Sequence, residues 1–101
     1  MDEELTFPHS LAVNFRPGMD PADRGYFEEE LAEALEQQVL GDVIGGGSAM
    51  DGSFCDISID VADISAGLRL IREVLRRCEA PETTVIIAGD ESQRVEHRVY
   101  E

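Results

Sequence analysis

Between Gly41 and Val61 the chain reads GDVIGGGSAMDGSFCDISIDV, two strand-like runs meeting at Met50-Asp51-Gly52. An Asp-Gly pair tolerates the positive backbone angles of a tight turn, so the stretch is expected to form a β-hairpin. In its second arm Cys55, Ile57, Ile59 and Val61 alternate with Asp56, Ser58 and Asp60. Strand side chains point alternately to opposite sides, so this arm carries one apolar and one acidic face. The apolar face needs a covering layer, and a helical pattern stands on either side of the hairpin to supply it.

Upstream, Leu5, Phe7, His9, Leu11, Val13 and Phe15 occupy alternating positions, one face of a strand. Pro8 cannot donate to a ladder, so the first half reads as an edge or irregular lead-in and residues 11–16 as the strand proper. The run Arg16-Pro17-Gly18-Met19-Asp20-Pro21 has turn chemistry, with Asp20 as N-cap and Pro21 at the first helical position. Phe27, Leu31, Ala34, Leu35 and Val39 then recur at helical spacing, and Gly41 is placed to stop the helix.

Downstream, Asp63 can cap a second helix whose apolar residues Ile64, Leu68, Ile71, Leu75 and Cys78 give the sharpest periodicity in the chain. Ala80-Pro81 breaks it. Thr83 to Ala88, TTVIIA, is a continuous β-branched run of the kind found in a central strand covered on both faces. After a turn at Gly89-Asp90-Glu91-Ser92, Val95, His97 and Val99 alternate with polar residues, as in a fifth strand or a tail that pairs with an edge.

A chain of 101 residues should form one domain over 1–101, with residues 1–4 frayed, burying roughly 65% of its unfolded surface. The formal net charge of -14 sits beside a hydrophobic fraction of 43%, too high for disorder, so the charge belongs on a folded surface. That sign repels nucleic-acid phosphates and anionic membranes and favours basic partners. No apolar run approaches the roughly 18 residues of a membrane-spanning helix, and the start, Met1-Asp2-Glu3-Glu4, lacks the basic region of a signal peptide. A cytoplasmic location is the expectation. Cys55 and Cys78 lie on apolar faces with no second Cys or His at ligand spacing, so both are expected to be buried thiols.

Four groups of residues carry candidate function. On the first helix, Glu28, Glu29, Glu33 and Glu36 belong to a stretch from Asp20 to Asp42 whose acids face a single base, Arg24. This is either a solvated face or a docking surface for a basic partner. Gly45, Gly46 and Gly47 lack the pattern of a phosphate loop or a dinucleotide fold, and mark a bulge, a bend, or a place where a ligand approaches the backbone. Asp56 and Asp60 share a strand face about 13 Å apart, too far to hold one metal ion, and are either solubilising or part of a partner surface. Arg69, Arg72, Arg76 and Arg77 make the second helix the one basic element, suited to its C-terminal dipole and to the chain's own acids, or to an anion. His9 and His97 have no acid or nucleophile placed beside them. No catalytic residue, metal ligand or cofactor is assigned.

The order strand, helix, strand, strand, helix, strand matches a split βαβ arrangement, a ferredoxin-like α+β fold with both helices on one face of an antiparallel sheet and an extra C-terminal strand. Gly45-Gly46-Gly47-Ser48, the strand Cys55 to Asp60, and Leu75 to Ala80-Pro81 before Thr83-Thr84 resemble small ferredoxin-like bacterial proteins of unassigned function. The resemblance covers residues 43–88 and implies the fold. Similar compact acidic folds serve as immunity proteins or inhibitors in some bacterial systems. The function expected is therefore that of a non-enzymatic interaction protein of immunity or inhibitor type docking on a basic partner. The alternative is a dimeric small-molecule-binding regulatory module, with the glycines near its ligand.

Overall fold

The computed structural model describes residues 7–16, 18–48, 50–89 and 94–100. The chain runs β1 (His9–Phe15), α1 (Pro21–Gln38), β2 (Gly41–Ser48), β3 (Cys55–Val61), α2 (Ile64–Arg77), β4 (Val85–Ala88) and β5 (Val95–Arg98). The strands form one sheet in the order β2-β3-β1-β4-β5, each neighbouring pair antiparallel. It is an α+β fold. The expected fraying of residues 1–4, Leu5 of the first alternating run, and the turn residues Asp90 to Ser92 lie outside the described residues.

β1 holds the middle of the sheet, not an edge. Pro8 precedes the first paired residue, His9, so its missing N–H leaves no gap in the ladder. Leu11, Val13 and Phe15 of β1, Cys55, Ile57, Ile59 and Val61 of β3, and Ile86 and Ala88 of β4 share one face, and all are buried. Phe27, Leu31 and Leu35 from α1 and Ile71, Val74 and Leu75 from α2 join them in a single core. Each large aliphatic or aromatic side chain buried in this way stabilises the fold by about 1.5–3 kcal/mol. α2 lies close to β3 at Gly67, where an added Cβ would stand 2.8 Å from Val61 Cγ1.

The two helices begin differently and end alike. Asp63 Oδ1 accepts the Ala66 N–H at 2.8 Å, whereas Asp20 caps α1 without a side-chain hydrogen bond, its carbonyl accepting Arg24 N–H at 3.0 Å. At the C-terminus of α1, Val39 N–H donates to Glu36 O and Leu40 N–H to Leu35 O. At that of α2, Glu79 N–H donates to Arg76 O and Ala80 N–H to Leu75 O. These are paired closures of the last carbonyls that place one residue in the left-handed region, normally glycine. Here those residues are Val39 and Glu79, with φ of 52° and 59°. Gly41, the expected helix stop, instead starts β2.

The hairpin forms with a longer connection than a two-residue turn, residues 49–54 between Ser48 and its partner Cys55. Asp51 Oδ1 accepts the Ser53 N–H at 2.9 Å, and Gly52 takes φ of 76°. The Gly52 carbonyl accepts the Gly18 N–H, so the loop is tied to the lead-in of α1 and is larger than a tight turn. β2 carries a register shift between Val43 and Gly45, a bulge beside the glycine run.

β4 lies between β1 and β5 as an inner strand, with Ile86 and Ala88 towards the helices. Ile87 points the other way and is only 7% exposed. The sequence reading had this strand covered on both faces, but among the described residues no helix or strand lies over the second face.

Candidate functional site: the open sheet face and the outer side of helix 1

The pairing registers lay out the open face in rows. Gly47, Asp56, Asn14, Val85 and Arg98 lie side by side across the sheet, and Gly45, Ser58, Ala12, Ile87 and Glu96 form the next row. Asp42, Asp60 and Ser10 start a third, continued by Gly89 and Arg94 just past the last paired residues of β4 and β5. Acids thus gather over β2 and β3, β5 carries Arg94 and Arg98 on either side of Glu96, and apolar side chains lie between. Ile44, at the bulge, and Phe54, before β3, are large exposed apolar residues at the margin.

Two shallow depressions share this face. One of about 500 Å³ is lined by Ser10, Ala12, Ile44, Ser58, Ile87 and Arg94 among others. The second, of about 470 Å³, is lined by Asn14, Arg16, Phe54, Asp56, Ile87 and Arg94 among others. The polar groups around them are largely committed to one another. Arg16 Nε donates to Asn14 Oδ1 at 2.6 Å, and its Nη2 donates to Glu96 Oε2 at 2.9 Å. That hydrogen bond and the guanidinium charge hold the Glu96 carboxyl below its ordinary value. Asp56 Oδ1 accepts Gly47 N–H, and Asp60 Oδ1 accepts Ser10 Oγ–H. Neither Asp56 nor Asp60 has a cation within ion-pair distance among the described residues.

The carboxylates of α1 lie in the other layer. Glu28 pairs with Arg24 at 3.2 Å and Glu30 with Arg77 at 3.5 Å, so two acids of this helix are balanced within the chain. Glu29, Glu33 and Glu36, at i, i+4 and i+7, form an exposed stripe on its outer side. Glu33 accepts a hydrogen bond from Gln37, and none of the three has a cation partner among the described residues. The structure therefore separates the sequence-derived acids: Glu29, Glu33 and Glu36 face out from the helical layer, while Asp56 and Asp60 face out from the sheet.

The remaining sequence candidates have partners inside the chain. An added Cβ at Gly46 would stand 2.3 Å from the Asp56 carbonyl oxygen, so the close neighbour of this glycine is the chain's own β3. Gly45 and Gly47 have more room. Arg72 and Arg76 donate through Nε to the carbonyl oxygens of Arg98 and Val99, tying α2 to the C-terminal strand. Arg69 lines a groove beside them. His9 is exposed at the start of β1, and His97 is half-buried on β5. Cys55 is buried, as expected, but Cys78 is only partly so, because it follows the last turn of α2. Its hydrogen bond with Tyr26 raises that phenol above its ordinary value.

Among the described residues no three His, Cys, Asp or Glu side chains gather to hold a metal ion. No helix is long and apolar enough to cross a membrane. Sequence reasoning missed the Asn14–Arg16–Glu96 chain, because Arg16 and Glu96 are far apart in sequence and meet only once β4 brings β5 to the sheet. Comparison with family models, with curated proteins and with solved structures finds no match.

Proposed function

We propose that this chain is a non-enzymatic interaction protein, of immunity or inhibitor type, that docks the outer side of α1 on a basic partner. The observation that carries the reading is the stripe of Glu29, Glu33 and Glu36, exposed and without cation partners among the described residues while their neighbours Glu28 and Glu30 are paired. A negative stripe on a rigid helix, in a molecule of net charge -14, steers a basic surface into register and makes association fast and salt-dependent. Asp56 and Asp60, in the opposite layer, take no part in that contact. We also read the strand order β2-β3-β1-β4 with two helices in one core as a ferredoxin-like arrangement, extended by β5.

The test is retention on immobilised protein in an extract of the source cells, with wild type and the triple variant Glu29→Lys, Glu33→Lys, Glu36→Lys compared at low and high salt. A basic protein held by wild type at low salt, released at high salt and lost with the triple variant supports the reading. Equal retention by both baits contradicts it.

A small-molecule module is favoured by the two depressions on the open face. Gly46 gives it less support, since β3 already occupies the space beside that residue. Thermal shift against metabolite pools separates the two readings.

A further inference from the structure

We propose that two copies of this chain associate through their open sheet faces, about a twofold axis that runs parallel to the strands between β1 and β4. The inference uses a different surface from the acidic stripe of α1 and stands independently of it.

The geometry follows from the registers. A twofold axis along the strands keeps each row opposite the same row of the second copy but reverses the order of strands. With the axis between β1 and β4, β3 of one copy lies over β5 of the other, and β1 over β4. The row of Asp56, Asn14, Val85 and Arg98 then sets Asp56 against the partner's Arg98. The row begun by Asp60 and Ser10 sets Asp60 against the partner's Arg94. The middle row sets Ala12 against the partner's Ile87. Each contact occurs twice, so the face is complementary to itself, as a twofold interface must be. Two twisted sheets packed in this way cross at about 30°, the aligned packing of sandwiches.

Three observations point to a second copy as the occupant. On the open face Asp56 and Asp60 lie over β3 and Arg98 and Arg94 over β5, with the Glu96 of the row between them paired to Arg16, and a strand-reversing partner brings each of the two aspartates to an arginine. Asp56 and Asp60 lack cations within their own chain among the described residues. Between these charges Ala12 and Val85 remain part-exposed on the open face, beside the exposed Ile44 and Phe54, an apolar strip that a second sheet can cover. Long-range repulsion between two strongly acidic molecules is screened beyond about 8 Å at physiological salt, while charge pairs closed within the interface are screened less.

Sedimentation equilibrium of the full chain at physiological salt tests this. Wild type should dimerise. Asp60→Arg sets like charges against the partner's Arg94 at both contacts, and Arg94→Asp sets like charges against the partner's Asp60. Each should raise the dimer Kd about tenfold or more, and the two changes combined in one chain should restore it. Should Asp60→Arg fail to fold, the pair Asp56→Arg and Arg98→Asp makes the same comparison. A monomeric wild type overturns the proposal, whatever else then binds the face. So does a dimer indifferent to the single reversals, or a combined variant no tighter than the singles.

Discussion

Arg16, at the end of β1, donates through Nη2 to Glu96 of β5 at 2.9 Å, reaching across β4 on the open face of the sheet. The bond links the middle strand to the edge strand without using the backbone ladder. Because Arg16 holds the Glu96 carboxyl below its usual value of 4.5, the ionised form is favoured by folding. A depressed folded value gives stability that is present above the unfolded value and is lost as pH falls through the folded one. Glu96→Gln should therefore melt below wild type at neutral pH, and the gap should close as the solution is acidified below the ordinary glutamate range. Thermal melts of both proteins across that range measure it.

Val39 ends α1 in the left-handed region and is half-exposed, so it carries strain that its packing does not require. A left-handed non-glycine residue costs about 1–2 kcal/mol, and glycine loses part of that benefit through its freer unfolded chain. Val39→Gly should stabilise the protein by about 0.5–1 kcal/mol, a rise of about 3–6 °C in Tm. An unchanged or lower Tm would contradict the closure described at Val39 and Leu40.

Gly67 tests the seat of α2 on β3. In an exposed helix Gly→Ala gains about 1 kcal/mol, but here the new methyl meets the stiff Val61 side chain at 2.8 Å. Overpacking should reverse the sign and leave Gly67→Ala about 1 kcal/mol less stable than wild type. Gly46→Ala should lose more, about 2–3 kcal/mol, because the atom in its way is a ladder carbonyl oxygen. Urea unfolding of both variants reads the two values on one scale.

The C-terminal strand leans on α2 through Arg72 and Arg76, and Tyr100 donates its hydroxyl hydrogen to the Ala80 carbonyl at 2.6 Å. Arg76→Met keeps the apolar stem and removes the bond to Val99 O, which is 2.7 Å long. The expected loss is about 1 kcal/mol, concentrated in β5. Hydrogen exchange should quicken at Val95 to Arg98 while the amides of β1 and β3 keep their protection.

Local chemistry made the elements legible in the sequence. The alternation from Cys55 to Val61, the spacing of Ile71 and Leu75, and the cap at Asp63 each depend on residues within a few positions of one another. What depended on tertiary pairing was not legible. Pro8 left open an edge or an irregular lead-in for the first half of its run; the structure has the lead-in, with pairing from His9 on, and makes β1 an inner strand because β3 and β4 pair with it on either side. Gly41 suggested the helix stop, but the start of β2 left the closing residue to be Val39. The α2 arginines read as a dipole complement and partners of the chain's own acids, or as an anion site; Arg77 does pair with Glu30, whereas Arg72 and Arg76 find the carbonyl oxygens of Arg98 and Val99, which follow them by more than one element. The opposite placement of the α1 acids and of Asp56 and Asp60, by contrast, was legible, because the alternation in β3 sets those two aspartates away from the apolar face that the helices cover.

The most direct measurement is a retention comparison of three baits against one extract of the source cells at low salt: wild type, the Glu29, Glu33 and Glu36 charge reversal, and Arg94→Asp. The account predicts that a basic protein bound by wild type is lost with the α1 reversal and kept with Arg94→Asp, since the open sheet face takes no part in that contact. Retention of the same protein by the α1 reversal would contradict the docking role assigned to helix 1.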